Sequence, residues 1–265
     1  MNDMQKKLRK SILKLSHLCR DGNLQSAFSC VDMMWVLYDK VMNWSPEIAT
    51  EDDRDIFIIS KGQATLALHA IMIEKGMFSF DDMADIGAFN SRFCIQADRT
   101  KFPEGGIENS AGSLGHGLPF AAGVAHASKI SKMPSKVFVL VGDGEFCEGT
   151  MWESCLFAST KVLDNLHIII DDNDSVGAMI DMGNLKVKLE AFGFYVDEAD
   201  GHDMDALENV LRKQSGMTGK PKALIAKTIR GFGSSTITEN DIWFHKSPND
   251  EEFDMIINEI DSFPG

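Results

Sequence analysis

Residues Lys136-Val-Phe-Val-Leu-Val-Gly-Asp-Gly144 run from an unbroken apolar segment into an acidic residue between two glycines. An apolar run of this length without polar alternation is typical of a strand buried on both faces of a parallel sheet. The segment Leu166-His-Ile-Ile-Ile170 repeats the pattern and ends in Asp171-Asp-Asn-Asp-Ser175. Because ligands of parallel sheets bind beyond the carboxyl ends of the strands, the polar residues after both segments are candidate site residues.

Helical and strand patterns alternate on both sides of these two segments. Leu8, Ile12, Leu15 and Cys19 recur at helical spacing and predict an opening helix, while Gly- and Pro-rich residues 98–117 predict a loop. Further helices are predicted over 29–42, 64–74, 118–129, 150–162 and 204–214, and strands over 56–60, 136–141, 166–170, 194–196 and 223–227. This alternation predicts an α/β fold, a mostly parallel sheet with helices on both faces.

Composition limits the classes of protein and partner. The chain has 265 residues, 44% of them hydrophobic, which suits one domain over residues 1–265. Its formal net charge of −14 disfavours nucleic acid and anionic membranes as partners, although a local site for an anion can override that field.

Targeting and cysteine signals indicate a cytoplasmic protein. No apolar stretch approaches the ~20 residues of a membrane span, and the N-terminus lacks the apolar core of a signal peptide. The five cysteines are an odd number without a C-x-x-C pair. They disfavour structural zinc and a disulfide framework, and reduced thiols are expected.

The chemistry of the two strand ends favours a metal-bridged phosphate site. Glycines beside Asp143 permit a backbone to approach a ligand closely, and N–H groups at a following helix start favour phosphate oxygens. A carboxylate there would repel a bare diphosphate, so it implies an intervening cation, for which Mg²⁺ suits carboxylate, amide and phosphate oxygens. Asn173 offers an amide oxygen from the neighbouring strand end, only ~5 Å away in a parallel sheet.

Each motif taken alone favours a simpler interpretation, a Gly-Asp-Gly turn and an Asx-turn at Asn173. Together, with 28 residues and a strand–helix–strand pattern between Gly144 and Asn173, they favour the site. The spacing resembles the thiamine diphosphate motif, GDG followed by an asparagine.

The residues around that motif resemble transketolase. Gly142-Asp-Gly-Glu-Phe-Cys-Glu-Gly-Thr-Met-Trp-Glu153 and Leu163-Asp-Asn-Leu166 are similar to the transketolase form, whereas ketoacid dehydrogenase α subunits usually differ at the second. Gly112-Ser-Leu-Gly-His-Gly117, Lys227-Thr-Ile-Arg-Gly-Phe-Gly233 and Trp243-Phe-His-Lys-Ser-Pro248 also match family segments. The chain is identified as resembling the N-terminal, diphosphate-binding part of a split transketolase over about residues 10–250.

The resemblance implies thiamine diphosphate and Mg²⁺ as cofactors and a role for each matching residue. Asp143, the Asn173 side chain and the Ser175 carbonyl would bind Mg²⁺. The residues expected to contact thiamine diphosphate are Gln63, Gly112, Ser113, Leu114, Gly144, Glu145, Asn173 and His245. His245 fits equally well as a surface histidine. Glu148 and Glu153 would join an acid network near the subunit interface, or else be acids that favour a helix start.

Three departures from the family concern histidines that face substrate. Their positions hold Asn23, Gln63 and Gln96, of which Asn23 and Gln96 belong to the expected catalytic set. Amides can orient a hydroxyl or a phosphate oxygen but cannot act as general acid or base near neutrality. An altered substrate is therefore expected, unless the partner supplies the missing groups; His116, where the family often has glutamine, could also compensate.

The resemblance further implies an activity and a partner. The pyrimidine-binding domain of the family would be a separate C-terminal subunit, in an α2β2 heterotetramer. The expected reaction transfers a two-carbon ketol unit from a ketose to an aldehyde, with a small sugar or keto compound as substrate. The alternatives are a 2-keto acid decarboxylating carboligase and, from another class, a non-catalytic assembly or regulatory subunit.

Overall fold

The computed structural model describes residues 1–176 and 180–264, and its centre is a parallel sheet. The five strands are β1 (Ile56–Ile59), β2 (Val137–Gly142), β3 (Leu166–Asp172), β4 (Tyr195–Asp200) and β5 (Lys222–Lys227). They lie side by side in the order β1-β2-β3-β5-β4, each parallel to its neighbours. All five carboxyl ends therefore meet at one edge of the sheet.

Helices cover both faces of the sheet. They are α1 (Asp3–Cys19), α2 (Leu24–Val36), α3 (Thr65–Glu74), α4 (Gly117–Ile130), α5 (Gly149–Thr160), α6 (Leu185–Ala191), α7 (Met204–Ser215), α8 (Ser235–Thr238) and α9 (Asp250–Ser262). The predicted α/β class with a mostly parallel sheet is confirmed. Among the described residues, no helix is both long enough and apolar enough to cross a bilayer.

Successive strand residues supply two separate cores, because side chains alternate between the two faces of a strand. Phe138 and Leu140 of β2 pack with α1, α2, α3 and α9 on one face. Val139 and Val141 pack with α4 and α5 on the other. The unbroken apolar character of β2 and β3 thus follows from burial on both sides.

The second helix differs from its predicted range of 29–42. It begins at Leu24, because the Asn23 carboxamide oxygen caps it by accepting a hydrogen bond from Ser26 N at 2.9 Å. A π-helical turn, Leu37–Val41, then continues it. Helices α6, α8 and α9 lie outside the predicted set, although Asn249 and Glu252 form a capping box at the start of α9.

A buried polar network joins α1 and α2 to the segment after β5. The Arg9 guanidinium donates to both oxygens of the Asp32 carboxylate at 2.8 and 2.7 Å, and both side chains are fully buried. His202 Nδ1 lies 2.9 Å from the same carboxylate, and its Nε2 accepts from Ile229 N at 3.0 Å. The network therefore holds the backbone at Ile229, immediately before Arg230.

His167 on β3 is expected to make the fold acid-sensitive. Its ring stacks on Phe138 at 4.6 Å, and neither ring nitrogen has a hydrogen-bond partner among the described residues. Burial, assisted by the charges of Lys222 and Lys136, lowers the pKa of His167 to about 3. An unfolded histidine has a pKa of ~6.5, so the neutral ring's stabilisation is complete above that pH and is lost as pH falls below it.

From about pH 7 to about pH 5 this one group should lower the free energy of unfolding by on the order of 2 kcal/mol. The His167→Phe variant keeps an aromatic ring against Phe138 and should lose that part of the pH dependence. Urea unfolding at a series of pH values measures it. If the free energy of unfolding falls equally with pH in the variant and in the wild type, His167 is not the cause of the acid sensitivity.

Candidate active site

The carboxyl ends of β2 and β3 border a cavity of about 220 Å³. Gly142 and Asp171 are direct neighbours in the register of the two strands, so the residues that follow them converge. The cavity is lined by Ser26, Lys61, Gln63, Leu114, Gly142, Gly144, Glu145, Asn173, Ser175, Val176, Arg230 and Phe244. The structure thus brings together predicted site residues from four separated parts of the chain.

Asn173 has an unused acceptor beside this cavity. Its carboxamide nitrogen donates to Asp171 Oδ2 at 3.1 Å and lies 3.4 Å from Ser29 Oγ. Its carboxamide oxygen is buried and has no hydrogen-bond partner among the described residues. A buried polar atom without a partner is costly, so this oxygen suits a ligand such as a cation.

Asp143 lies at the start of a 3-10 turn directly after β2, 7% exposed. Its carboxylate accepts from Ser175 N at 2.8 Å and from Ser175 Oγ at 2.6 Å. These bonds connect the ends of β2 and β3 and place Asp143, Asn173 and Ser175 in one group. A carboxylate, an amide oxygen and a nearby carbonyl are donors that suit Mg²⁺, so the residues present fit that cation.

Gly144 lies too close to the next strand end for any side chain. A Cβ at this position would lie 2.9 Å from Val176 Cγ1 and 3.3 Å from Ser175 Oγ. Glycine therefore lets the turn after β2 approach the segment after β3. Gly142 and Gly144 both line the cavity, so a ligand can approach the backbone closely there.

Glu145 lines the cavity, but both of its carboxylate oxygens are occupied. One oxygen accepts from Ser60 Oγ and from Gly115 N at 2.8 Å, and the other accepts from Gly142 N at 3.0 Å. Burial raises the pKa of the Glu145 carboxyl, and these donors offset part of that effect. Its visible function is to tie the loop over residues 112–117 to the turn after β2.

Two cations at the cavity were missed by sequence reasoning. Lys61 is buried against Asp171, and Arg230 also lines the cavity, with its guanidinium 3.3 Å from the Asp241 carboxylate. Burial disfavours the Lys61 ammonium, but the adjacent Asp171 carboxylate outweighs burial and holds the pKa of Lys61 above its usual value. Two cationic side chains therefore line this cavity in an acidic chain, each paired with a carboxylate.

The three amides in place of histidines occupy different environments. Gln63 lines the cavity, and its buried amide oxygen has no partner among the described residues. Asn23 is buried and caps α2 through its amide oxygen. Its amide nitrogen has no hydrogen-bond partner among the described residues. Gln96 is exposed, and a Cβ on Gly112 would lie 3.5 Å from its amide oxygen.

The loop over residues 112–117 separates two depressions. Leu114 faces the main cavity, whereas Gly112 and Ser113 line a neighbouring depression of about 450 Å³ together with Arg99 and His116. His116 Nδ1 lies 3.0 Å from Leu114 O, within its own loop. The predicted loop residues are thus adjacent, but they do not all face one space.

His245, Glu148 and Glu153 lie at the surface of the chain. His245 borders a separate outer depression with His17 and Arg20. Its ring centroid lies 4.7 Å from that of Phe244, which lines the cavity. Glu148 precedes α5 and Glu153 lies on it. Their predicted contacts with cofactor and partner remain predictions.

Comparisons with known proteins identify the family. Residues 15–256 match the family described as transketolase, thiamine diphosphate binding domain. The chain belongs to this family. One relative is the A subunit of the apulose-4-phosphate transketolase of Actinobacillus succinogenes. It is 34% identical over 257 residues, which cover 95% of this chain and 92% of that protein.

The chain spans less than half the length of longer relatives. Human transketolase is 30% identical over 98% of this chain and 42% of its own length. The transketolase structure from Leishmania mexicana superposes with a TM-score of 0.89 at 24% identity, over 97% of this chain and 40% of that one. The chain therefore has the fold and the length of a transketolase cofactor-binding domain, and spans less than half of these two enzymes.

Proposed function

We propose that residues 1–265 form one diphosphate- and metal-binding domain that acts as a subunit of a thiamine diphosphate-dependent, transketolase-like enzyme. The observation that carries the proposal is the buried Asn173 oxygen, which has no partner among the described residues and lies at a cavity also lined by Lys61 and Arg230. Ser175, on the same strand end, holds Asp143 from the neighbouring strand. The oxygen acceptors suit a metal cation, and the two cationic side chains suit a diphosphate. The cavity therefore suits a metal–diphosphate pair better than either ion alone.

Each polar group at the cavity has a distinct proposed task. Asp143, the Asn173 oxygen and the Ser175 carbonyl would hold Mg²⁺, and diphosphate and water oxygens would complete its shell. Gly144 would donate its N–H to the diphosphate. Lys61 and Arg230 would balance the anionic charge, and Gly112, Ser113, Leu114 and Gln63 would lie along the cofactor. Thiamine diphosphate, when bound, supplies the nucleophile that cleaves the carbon–carbon bond beside a carbonyl.

A partner subunit would complete the site. The Actinobacillus relative is named as one subunit of its enzyme, and the human relative is more than twice as long as this chain. The outer face of α4 and α5 leaves Phe120, Leu156 and Phe157 substantially exposed next to Glu148 and Glu153. Exposed apolar groups with acids among them suit a protein interface, and we propose a pyrimidine-binding subunit in an α2β2 assembly.

The substrate proposed is a phosphorylated ketose of unusual structure. The Actinobacillus relative is named for apulose 4-phosphate, and Asn23, Gln63 and Gln96 replace the histidines of the resemblance with neutral hydrogen-bonding groups. These amides can orient hydroxyls of a ketose without exchanging protons near neutrality. The reaction would move a two-carbon ketol unit from that ketose to an aldehyde.

The purified complex of this chain with its partner should bind thiamine diphosphate only when Mg²⁺ is present. Isothermal titration with and without EDTA measures this, and no Mg²⁺-dependent binding would contradict the cofactor assignment. A donor screen then compares ketose phosphates with pyruvate. Turnover of pyruvate alone would favour the 2-keto acid carboligase, and binding without any turnover would favour an assembly or regulatory role.

A further inference from the structure

Both carboxylate oxygens of Asp171, near the end of β3, accept hydrogen bonds. Its carboxylate is fully buried and lies two residues before Asn173. One oxygen accepts from Asn173 Nδ2 at 3.1 Å, from Ser29 Oγ at 2.6 Å and from the Lys61 ammonium. The other oxygen accepts from Thr228 Oγ1. All of these partners donate hydrogen bonds to Asp171. Among them, only Asn173 is a proposed ligand of the cation.

The two ends of the Asn173 amide are chemically different, and Asp171 can distinguish them. An ionised carboxylate only accepts hydrogen bonds, whereas an amide has a donor nitrogen and an acceptor oxygen. Turning the amide over would place its oxygen against a carboxylate oxygen inside the protein, where repulsion is weakly screened. Only the orientation with nitrogen toward Asp171 is favourable, and it leaves the Asn173 oxygen without a partner among the described residues, in a side chain that lines the cavity.

We infer that Asp171 is a positioning residue that selects the orientation of the Asn173 amide and so presents its oxygen to the divalent cation. The inference rests on the proposed cofactor site. Lys61 has a supporting part, because its ammonium donates to the same Asp171 oxygen that accepts from Asn173 Nδ2, so that side of the carboxylate faces donors. Groups that orient a metal ligand typically change metal affinity by about 10- to 100-fold when they are replaced.

The Asp171→Asn variant tests this selection, because its new amide can donate to the Asn173 oxygen and permit the reversed orientation. In the complex with the partner subunit, the Mg²⁺ concentration that half-saturates thiamine diphosphate binding should rise about 10-fold or more. The matched control is Thr228→Val, which removes a donor to the same carboxylate without changing the Asn173 contact. Its half-saturating Mg²⁺ concentration should stay within about twofold of the wild-type value.

The exchanged variant Asp171→Asn/Asn173→Asp supplies a second test that keeps the net charge of the cluster. The carboxylate now at position 173 could accept from the amide at position 171 with one oxygen and face the cation with the other. Mg²⁺ dependence should therefore recover toward wild type. Thermal unfolding without Mg²⁺ and cofactor reports whether each variant is folded. Recovery in the exchanged variant would support the orientation even if Asp171→Asn alone unfolded.

Two results would overturn the inference. One is wild-type Mg²⁺ dependence in a folded Asp171→Asn variant; the other is an exchanged variant that is folded but requires as much Mg²⁺ as the single variant, or more. Failure of the wild-type complex to bind thiamine diphosphate would instead contradict the proposed function itself.

Discussion

The Asp143→Ala variant is expected to lose Mg²⁺-dependent thiamine diphosphate binding, with a fall in affinity above about 100-fold and a corresponding loss of turnover. Asp143 carries the charge that would attract the cation, and it is held by Ser175, which follows Asn173 by two residues. Without that carboxylate, the cation would retain one amide oxygen and one backbone carbonyl from the chain. Isothermal titration of the complex at fixed Mg²⁺ gives the affinity directly.

The same variant should remain folded, because the hydrogen bonds from Ser175 to Asp143 lie at the edge of the sheet and not in either core. Asp172→Ala is the matched control. Asp172 lies at the end of the neighbouring strand and lines a depression together with Asp143, but its carboxylate is paired with Lys227 and is not a proposed ligand of the cation. A folded Asp143→Ala protein that binds the cofactor at ordinary Mg²⁺ would show that the metal ligands are assigned wrongly.

The Asp32→Ala variant should be the most destabilising single change outside the two apolar cores, lowering the free energy of unfolding by about 3–5 kcal/mol. It leaves the fully buried Arg9 guanidinium without its counter-charge. His202 also loses the partner of its Nδ1 atom. Burial acts to raise the pKa of Asp32, but the charge and hydrogen bonds of Arg9 outweigh it and hold that pKa below its usual value.

Chemical denaturation at neutral pH measures this loss of stability. Glu208→Ala is the control, since it removes an ion pair with Arg212 on the exposed side of α7 and should cost less than about 1 kcal/mol. Equal effects of the two substitutions would show that burial of the Arg9–Asp32 pair has no special consequence.

Sequence patterns predict the sheet well because its three central strands, β2, β3 and β5, are mostly buried apolar runs. Strand β3 extends two residues beyond its predicted end, because Asp171 and Asp172 still pair with β5 through their backbones. The polarity of these residues indicates a loop, yet backbone pairing does not depend on side-chain polarity. Helix α2 begins earlier than predicted because Asn23 caps it. In the sequence, Asn23 stands out only as a substituted histidine and not as a capping residue.

The candidate site was partly predictable for a similar reason. Gly144, Asn173 and Ser175 follow adjacent strands, so topology alone brings them together. Lys61 and Arg230 carry no spacing signal that relates them to these residues. Their presence at the cavity depends on how the segments after β1 and β5 fold back over the sheet edge.

The sequence by itself determined the family, the parallel sheet and the residues at the two central strand ends, because periodicity and motif spacing are local properties of the chain. The tertiary structure decided the orientation of the Asn173 amide. Its nitrogen faces Asp171, and its oxygen has no partner among the described residues. Asp171 faces donors from α2, from Lys61 and from Thr228, which are remote in the chain and meet only after folding. Charge pairing between such distant residues sets the orientation of the Asn173 amide, and no local pattern encodes it.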